Sequence, residues 1–354
     1  MTDNPALLNE VYSASRGLVQ RLADLQVSLA FTSYQSGCLY TVGHKPDGTL
    51  NVHRAGMPKP MGIVSNGEGA LWLCCDFEII RLQNVLNAGE LANSVFDACF
   101  VARQSWLTGR LDAHDIGLLA DGRVVFVNTR FNCLSTLDRR DSFAELWRPG
   151  FIDALIDEDR CHLNGLATQD GVCRYATAVS RSNTVDAWRD RRTSGGIVID
   201  VATTGIVCEG LSMPHSPRLH RGELWLLNSG TGELGRVDGL ETGDGQFEPV
   251  AFCPGFVRGL AFANDYAFVG LSKPRYERFE GLDLDRRLRD ADSEPWCGVQ
   301  VIDLRSGACV DWLRIDGDLA ELYDIALIDN VRCAMTVGPH APELARLVTL
   351  PRSS

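Results

Sequence analysis

HDIGLLADGRVVFVNT, residues 114–129, places an apolar pair, an Asp-Gly turn and a strand-type apolar run behind Gly117. Alone it reads as one β-hairpin, but the pattern recurs. KPMGIVSNGEGALWLCC (59–75), HLNGLATQDGVCRYATA (162–178), HSPRLHRGELWLLNS (215–229), FVRGLAFANDYAFVGLS (256–272) and ELYDIALIDNVRCAMTV (321–337) follow the same order. Aligned on Gly62, Gly117, Gly165, Arg218, Gly259 and Asp324, the six units start 41 to 65 residues apart. That spacing accommodates four short strands per unit, the length of a β-propeller blade. Further strands follow each hairpin, as in CGVQVIDLRSGACVDWLRI (297–315), which folds back about Arg305-Ser306-Gly307.

Residues 28–57 read as the second to fourth strands of a blade that lacks its first, and the unit beginning near Glu321 supplies one. Pairing the two ends closes the ring and removes the sheet edges. The expectation is an all-β, six-bladed β-propeller, with seven blades as the alternative. Residues 5–25 are expected to form a short helix outside the ring, so that 1–27 is an N-terminal helical segment and 28–354 a single propeller domain.

Over 354 residues the chain is 45% hydrophobic and 23% charged, with a formal net charge of -12. The acidic balance argues against nucleic-acid partners and against adhesion to anionic lipid, and points to small molecules or proteins. No uninterrupted apolar run approaches 18 residues and the N-terminus lacks a signal-peptide pattern, so a cytoplasmic protein without a membrane partner is expected. The twelve cysteines lie in apolar runs with no CxxC spacing, as reduced core thiols would.

Three positions before each alignment point stand Lys59, His114, His162, His215, Phe256 and Glu321. The first strand of each propeller blade lines the central channel, so equivalent positions converge at one depth. Three imidazoles and a carboxylate are ligand types of a transition-metal site with an open position. The expected metal ligands are therefore His114, His162, His215 and Glu321, with a divalent cofactor such as Fe, Mn or Zn. Arg160, Arg218 and Arg258 lie beside these positions and suit an anionic substrate. Asp115 and Asn164 could orient imidazoles or cap strands. The turn residues Tyr34, Gln35, Asn128, Arg130, Asn228 and Ser229 either face the channel mouth or serve their own turns. Elbow, nucleotide-cradle and HExxH motifs are absent.

With RPGFIDALIDEDRCHLNGLA (148–167), GLSMPHSPRLHRGELWLLNSG (210–230) and PGFVRGLAF (254–262), the chain resembles a bacterial family of conserved hypothetical proteins labelled as a domain of unknown function. The DRCHLNG and PHSPR segments carry that resemblance, which implies no activity. The LNGLA segment also resembles gluconolactonase-like six-bladed propellers, whose axial cation is held by Glu, Asn and Asp oxygens; there Asn164 is the matching residue. Histidines in the ring look closer to manganese-binding propeller lyases or iron-binding propeller oxygenases. The resulting expectation is a metal-dependent enzyme acting on an acidic small molecule or peptide-derived substrate as lyase, hydrolase, isomerase or oxygenase. The alternative is a non-catalytic propeller that serves as a platform for proteins or ligands.

Overall fold

The computed structural model describes residues 8–274, 279 and 281–350. Six sheets stand around one axis. Their innermost strands are Ile325–Asp329, Ile63–Ser65, Ala113–Leu118, Leu163–Gln169, Pro214–His220 and Phe256–Ala263, which define blades 1 to 6 in that order. Each innermost strand touches the next, and that of blade 6 touches that of blade 1. The expected six-bladed propeller is thus what forms.

Closure follows the pairing expected from the incomplete first unit. Ile325–Asp329, from the end of the chain, runs antiparallel to Val27–Ser33, with Leu29 opposite Leu327. The rest of blade 1 is Cys38–His44 and Leu50–Gly56. Two additional strands reinforce the seam. Ala334–Val337 adds in parallel to the outer strand of blade 2, Ala98–Leu107, and Glu10–Ala14 adds to the outer strand of blade 6, Cys309–Gly317. Leu29, Phe31, Tyr40, Phe268, Val299 and Leu313 pack blades 1 and 6 together in one buried cluster.

The N-terminal segment differs from the expected single helix over 5–25. Only Leu18–Leu25 is helical, and Glu10–Ala14 is a strand. EVYSA alternates half-buried and exposed residues, a period-2 pattern that fits a free sheet edge better than a helix. Residues 5–7, like the expected domain limits at 1 and 354, lie outside the described residues.

Two long insertions rise on the face where the innermost strands begin. One joins Val172–Ala178 to Gly196–Asp200 in blade 4 and carries Trp188; the other joins Tyr266–Ser272 to Cys297–Asp303 in blade 6 and carries the helix Leu284–Asp290. All twelve cysteines are unpaired, and ten of them are buried. Among the described residues no helix is long and apolar enough to cross a membrane.

Candidate functional site

Backbone register places the ring residues. Ala113, Leu163 and Pro214 face Asn128, Ala178 and Asn228, which end their blades' second strands, and Val257 faces Leu271, which is followed by Ser272, whose hydroxyl donates to the Leu322 carbonyl of the next blade. The next residues, His114, Asn164, His215 and Arg258, therefore share one level of the channel. Blade 1 joins this level through matching aspartates. Asp115 accepts from the N–H groups of Ile116 and of Leu166 in the next blade, at 2.9 and 3.0 Å. Asp324 accepts likewise from Ile325 and, in the next blade, Ile63, also at 2.9 and 3.0 Å. The residue before Asp324 is Tyr323, which thus corresponds to His114.

This register corrects the sequence alignment. Asp115 and Ser216, rather than Gly117 and Arg218, stand level with Gly165 and Gly259, a slip of two residues in two units. Such a slip leaves side chains on the same face of a strand, so His114 and His215 still belong to the channel. His162, however, stands one level nearer the mouth, with Asp112, Met213, Phe256 and Glu321. Its backbone lies in the left-handed region (φ 53°), as do those of Asp112 and Met213 at 51° and 49°.

All three imidazoles are oriented through Nδ1. His114 Nδ1 donates to the Asp112 carbonyl at 2.8 Å and to Thr129 Oγ1 at 2.8 Å, while Thr129 donates to the Leu163 carbonyl of blade 4 at 2.6 Å. His215 repeats this with the Met213 carbonyl, Ser229 Oγ and the Val257 carbonyl of blade 6, at 2.8, 3.0 and 2.6 Å. His162 Nδ1 donates to Asp159 Oδ2 at 2.6 Å, and its backbone N–H to Asp159 Oδ1 at 2.9 Å. Since carbonyls and carboxylates only accept, these networks place a proton on each Nδ1, which in the neutral rings of His114 and His215 leaves Nε2 as a lone pair. Burial pushes the pKa values of His114 and His215 below the ordinary 6.5, with Arg258 adding to the effect at His215, so both are neutral at pH 7.

Around this level lie buried polar atoms without a hydrogen-bond partner: Asn164 Nδ2, His215 Nε2, Arg258 Nε and the Tyr323 hydroxyl. Asn164, His215 and Tyr323 are 3, 4 and 6% exposed. Buried polar groups are ordinarily paired, so a ring of unpaired ones marks a place for a ligand or ordered water. The guanidinium of Arg258 lies over the rings of Phe256 and Tyr323, at 5.1 and 5.0 Å. The His114 ring meets His162 edge-on at 4.9 Å and Tyr323 at 5.8 Å. Trp188, from the blade 4 insertion, stacks on His162 at 4.0 Å.

The remaining expected residues have other work. Arg160 is held by Asp153, Asn183 and Glu158 at 2.7, 2.8 and 2.9 Å, inside the loop that leads to His162. With two carboxylates already on its fork, it does not present a free charge to the channel. Arg218 lies deeper, grips both oxygens of Asp115 at 2.8 and 3.1 Å, and stands 3.5 Å from Asp324. Together these three side chains separate the histidine level from a cavity of 390 Å³ at the opposite mouth. Asp115 therefore bridges blades and does not orient an imidazole. Asn164 accepts from Thr177 at 2.8 Å. Glu321 Oε2 accepts from Ser33 Oγ at 2.8 Å and from the Gln35 N–H at 3.2 Å. Cys161 is buried and donates to Asn132 Oδ1 at 3.4 Å.

The expected centre of His114, His162, His215 and Glu321 is not assembled. Among the described residues, no group of three or more His, Cys, Asp or Glu side chains is placed to hold a metal ion. His162 and Glu321 sit one level above His114 and His215; the His162 ring still meets that of His114 at 4.9 Å, while Glu321 is engaged by Ser33 and Gln35.

The alignment missed Tyr323, Thr129 and Trp188. The hydroxyls had a signal, since NTR (128–130) and NSG (228–230) both put one after the asparagine that ends a second strand. Trp188 had none, because it lies in an insertion outside the repeated hairpin pattern.

Fold and site together define a six-bladed β-propeller with a buried polar cluster near one mouth of its channel. Within that class the chain belongs to the family described as Domain of unknown function (DUF4915), whose model matches residues 16–337. No curated protein matches the sequence. A chain of the nidogen/laminin complex is similar over 86% of this chain and 99% of its own, at 11% identity and a TM-score of 0.53. A glucose dehydrogenase-type putative oxidoreductase from Thermus thermophilus shares 13% identity over 79 and 91% of the two chains, at a TM-score of 0.46. A streptogramin B lyase shares 13% over 82 and 76%, at 0.41. Identities this low speak to fold alone.

Proposed function

We propose that this propeller is an enzyme that binds a small acidic molecule at the histidine end of its channel and moves a proton on it, as a lyase or isomerase does. The observation that carries the reading is the Asp159–His162 pair, 2.6 Å apart, standing above a ring of buried, unpartnered polar atoms. A carboxylate behind Nδ1 holds the imidazole in one tautomer and stabilises the imidazolium formed when Nε2 takes a proton.

Arg258 is the anion anchor. Among the described residues it makes no ion pair, and Phe256 and Tyr323 hold its guanidinium plane, leaving the edge of the fork for a carboxylate or phosphate. Asn164 Nδ2 supplies a second donor, and the unpartnered Tyr323 hydroxyl is the group assigned to return a proton. No step is routed through a metal, because the residues present do not form the expected donor set.

The test is incubation in D2O with a panel of small carboxylic acids, followed by proton NMR. Expected are exchange of a substrate C–H with solvent by the native protein, loss of exchange with retained binding in His162→Gln, and loss of binding in Arg258→Met. Binding without exchange in the native protein would leave a non-catalytic ligand platform. Elemental analysis of untagged protein, compared with His114→Ala/His215→Ala, runs alongside; a stoichiometric metal lost in the variant would restore a metal-dependent reaction.

A further inference from the structure

We infer that the ligand of this polar ring is a hydroxy acid, a short carboxylate that carries at least one hydroxyl group; the inference rests on the acid-binding reading above. Following blades 3, 4, 5, 6 and 1 around the axis, the level presents His114 Nε2, Asn164 Nδ2, His215 Nε2, Arg258 Nε and the Tyr323 hydroxyl. Their hydrogen-bonding characters alternate: acceptor, donor, acceptor, donor, and then a group that does both.

The two acceptors are a consequence of the fold. His114 and His215 each give Nδ1–H to a backbone carbonyl and a hydroxyl in their own blade, so only a lone pair is left on Nε2. Asn164 is turned the other way. Its Oδ1 accepts from Thr177, which leaves Nδ2 as a donor without a partner. A molecule that satisfies this ring must offer acceptors to Asn164 and Arg258 and donors to His114 and His215.

A plain carboxylate offers acceptors only and would leave the buried His215 Nε2 lone pair without a donor, and give none to His114. An amino acid offers donors, but its ammonium would bring a second positive charge beside Arg258, against acceptors that are neutral nitrogens. The carboxylates nearest the level are engaged elsewhere: below it Asp115 and Asp324 face Arg218, and above it Asp159 holds His162, Glu321 accepts from Ser33 and Gln35, and Asp112 lies on the Nδ1 side of His114, at 3.8 Å. A hydroxyl donates to an imidazole, accepts from an amide and adds no charge. Sites built to bond a substrate hydroxyl reject the analogue lacking it, because the protein's own groups are then left unpaired.

Two isosteric sets test this by calorimetric titration of the full chain: malate, succinate and aspartate, and lactate, propionate and alanine. The expected result is a dissociation constant at least about tenfold lower for the hydroxy member of a set that binds. His215→Phe, which removes one acceptor, should shrink that ratio while succinate or propionate binds as before; His215→Gln, whose Oε1 still accepts, should retain most of it. Equal affinity for hydroxy and plain acids, or tightest binding of the amino acid, overturns the inference and leaves the acid-binding reading standing. If no member of either set binds, the acid-binding reading falls, and this inference with it.

Discussion

Thr129 and Ser229 hold His114 and His215 in the same way, each accepting from the imidazole Nδ1 of its own blade while donating to a carbonyl of the next. One hydroxyl thus sets a tautomer and ties two blades. Thr129→Val, nearly isosteric, should lower stability by about 1 kcal/mol and release the His114 ring. Long-range 1H–15N correlation spectra should show Nδ1–H for both histidines in the native protein and a mixture at His114 in the variant. An Nε2–H tautomer in the native protein would contradict the assignment.

Stability should depend on pH through the same two rings. Because burial holds the folded pKa values of His114 and His215 below the ordinary 6.5, the unfolded chain binds more protons once the pH falls below about 6.5. Their contribution therefore shrinks as the pH drops from there toward the folded values. Asp324 acts oppositely. Burial raises its carboxyl pKa to about 7 against the pull of Arg218, so its contribution is lost as the pH rises through 7. Comparing urea midpoints of native protein and His215→Gln cancels the aspartate. The native protein's advantage should fall between pH 6.5 and 5; a constant difference would refute the shift.

Arg218 neutralises Asp115, whose side chain is only 4% exposed. Arg218→Met should cost about 3–5 kcal/mol by leaving a buried carboxylate unpaired, and Arg218→Met/Asp115→Asn should recover part of this. Chemical denaturation of the two variants measures both effects. A single variant of near-native stability would show that the pair is dispensable.

Removing residues 321–354 takes away the innermost strand of blade 1 and uncovers Leu29 and Phe31, both buried in the native fold. The truncated chain should lose cooperative thermal unfolding and near-ultraviolet circular dichroism. Retention of both would mean that the ring does not need its closure.

Most of the architecture was legible because it repeats. A turn-like residue, glycine in four of the six units, then apolar residues, a turn and an apolar run recur around the chain, and such units cannot bury their apolar faces except against one another. Residues 28–57 without a first strand announced how the ring would close. The N-terminal strand was not legible, because EVYSA is too short to decide between helix and strand until the free edge of Cys309–Gly317 is there to pair with.

By itself the sequence determined a six-bladed ring and that His114 and His215 face its channel, since side-chain alternation survives a register error of two residues. Only the tertiary structure decided their depth. Depth is set by hydrogen bonds between strands and between blades, such as Asp115 to Leu166 and Asp324 to Ile63, which leave no trace in spacing along the chain. Those bonds put Tyr323 and Asn164 level with the two histidines, raised His162 toward Trp188 and Asp159, and engaged Arg160 and Arg218 elsewhere. The stretch 114–129 was therefore enough for the hairpin and the repeat, while the chemistry around His114 depends on four other blades.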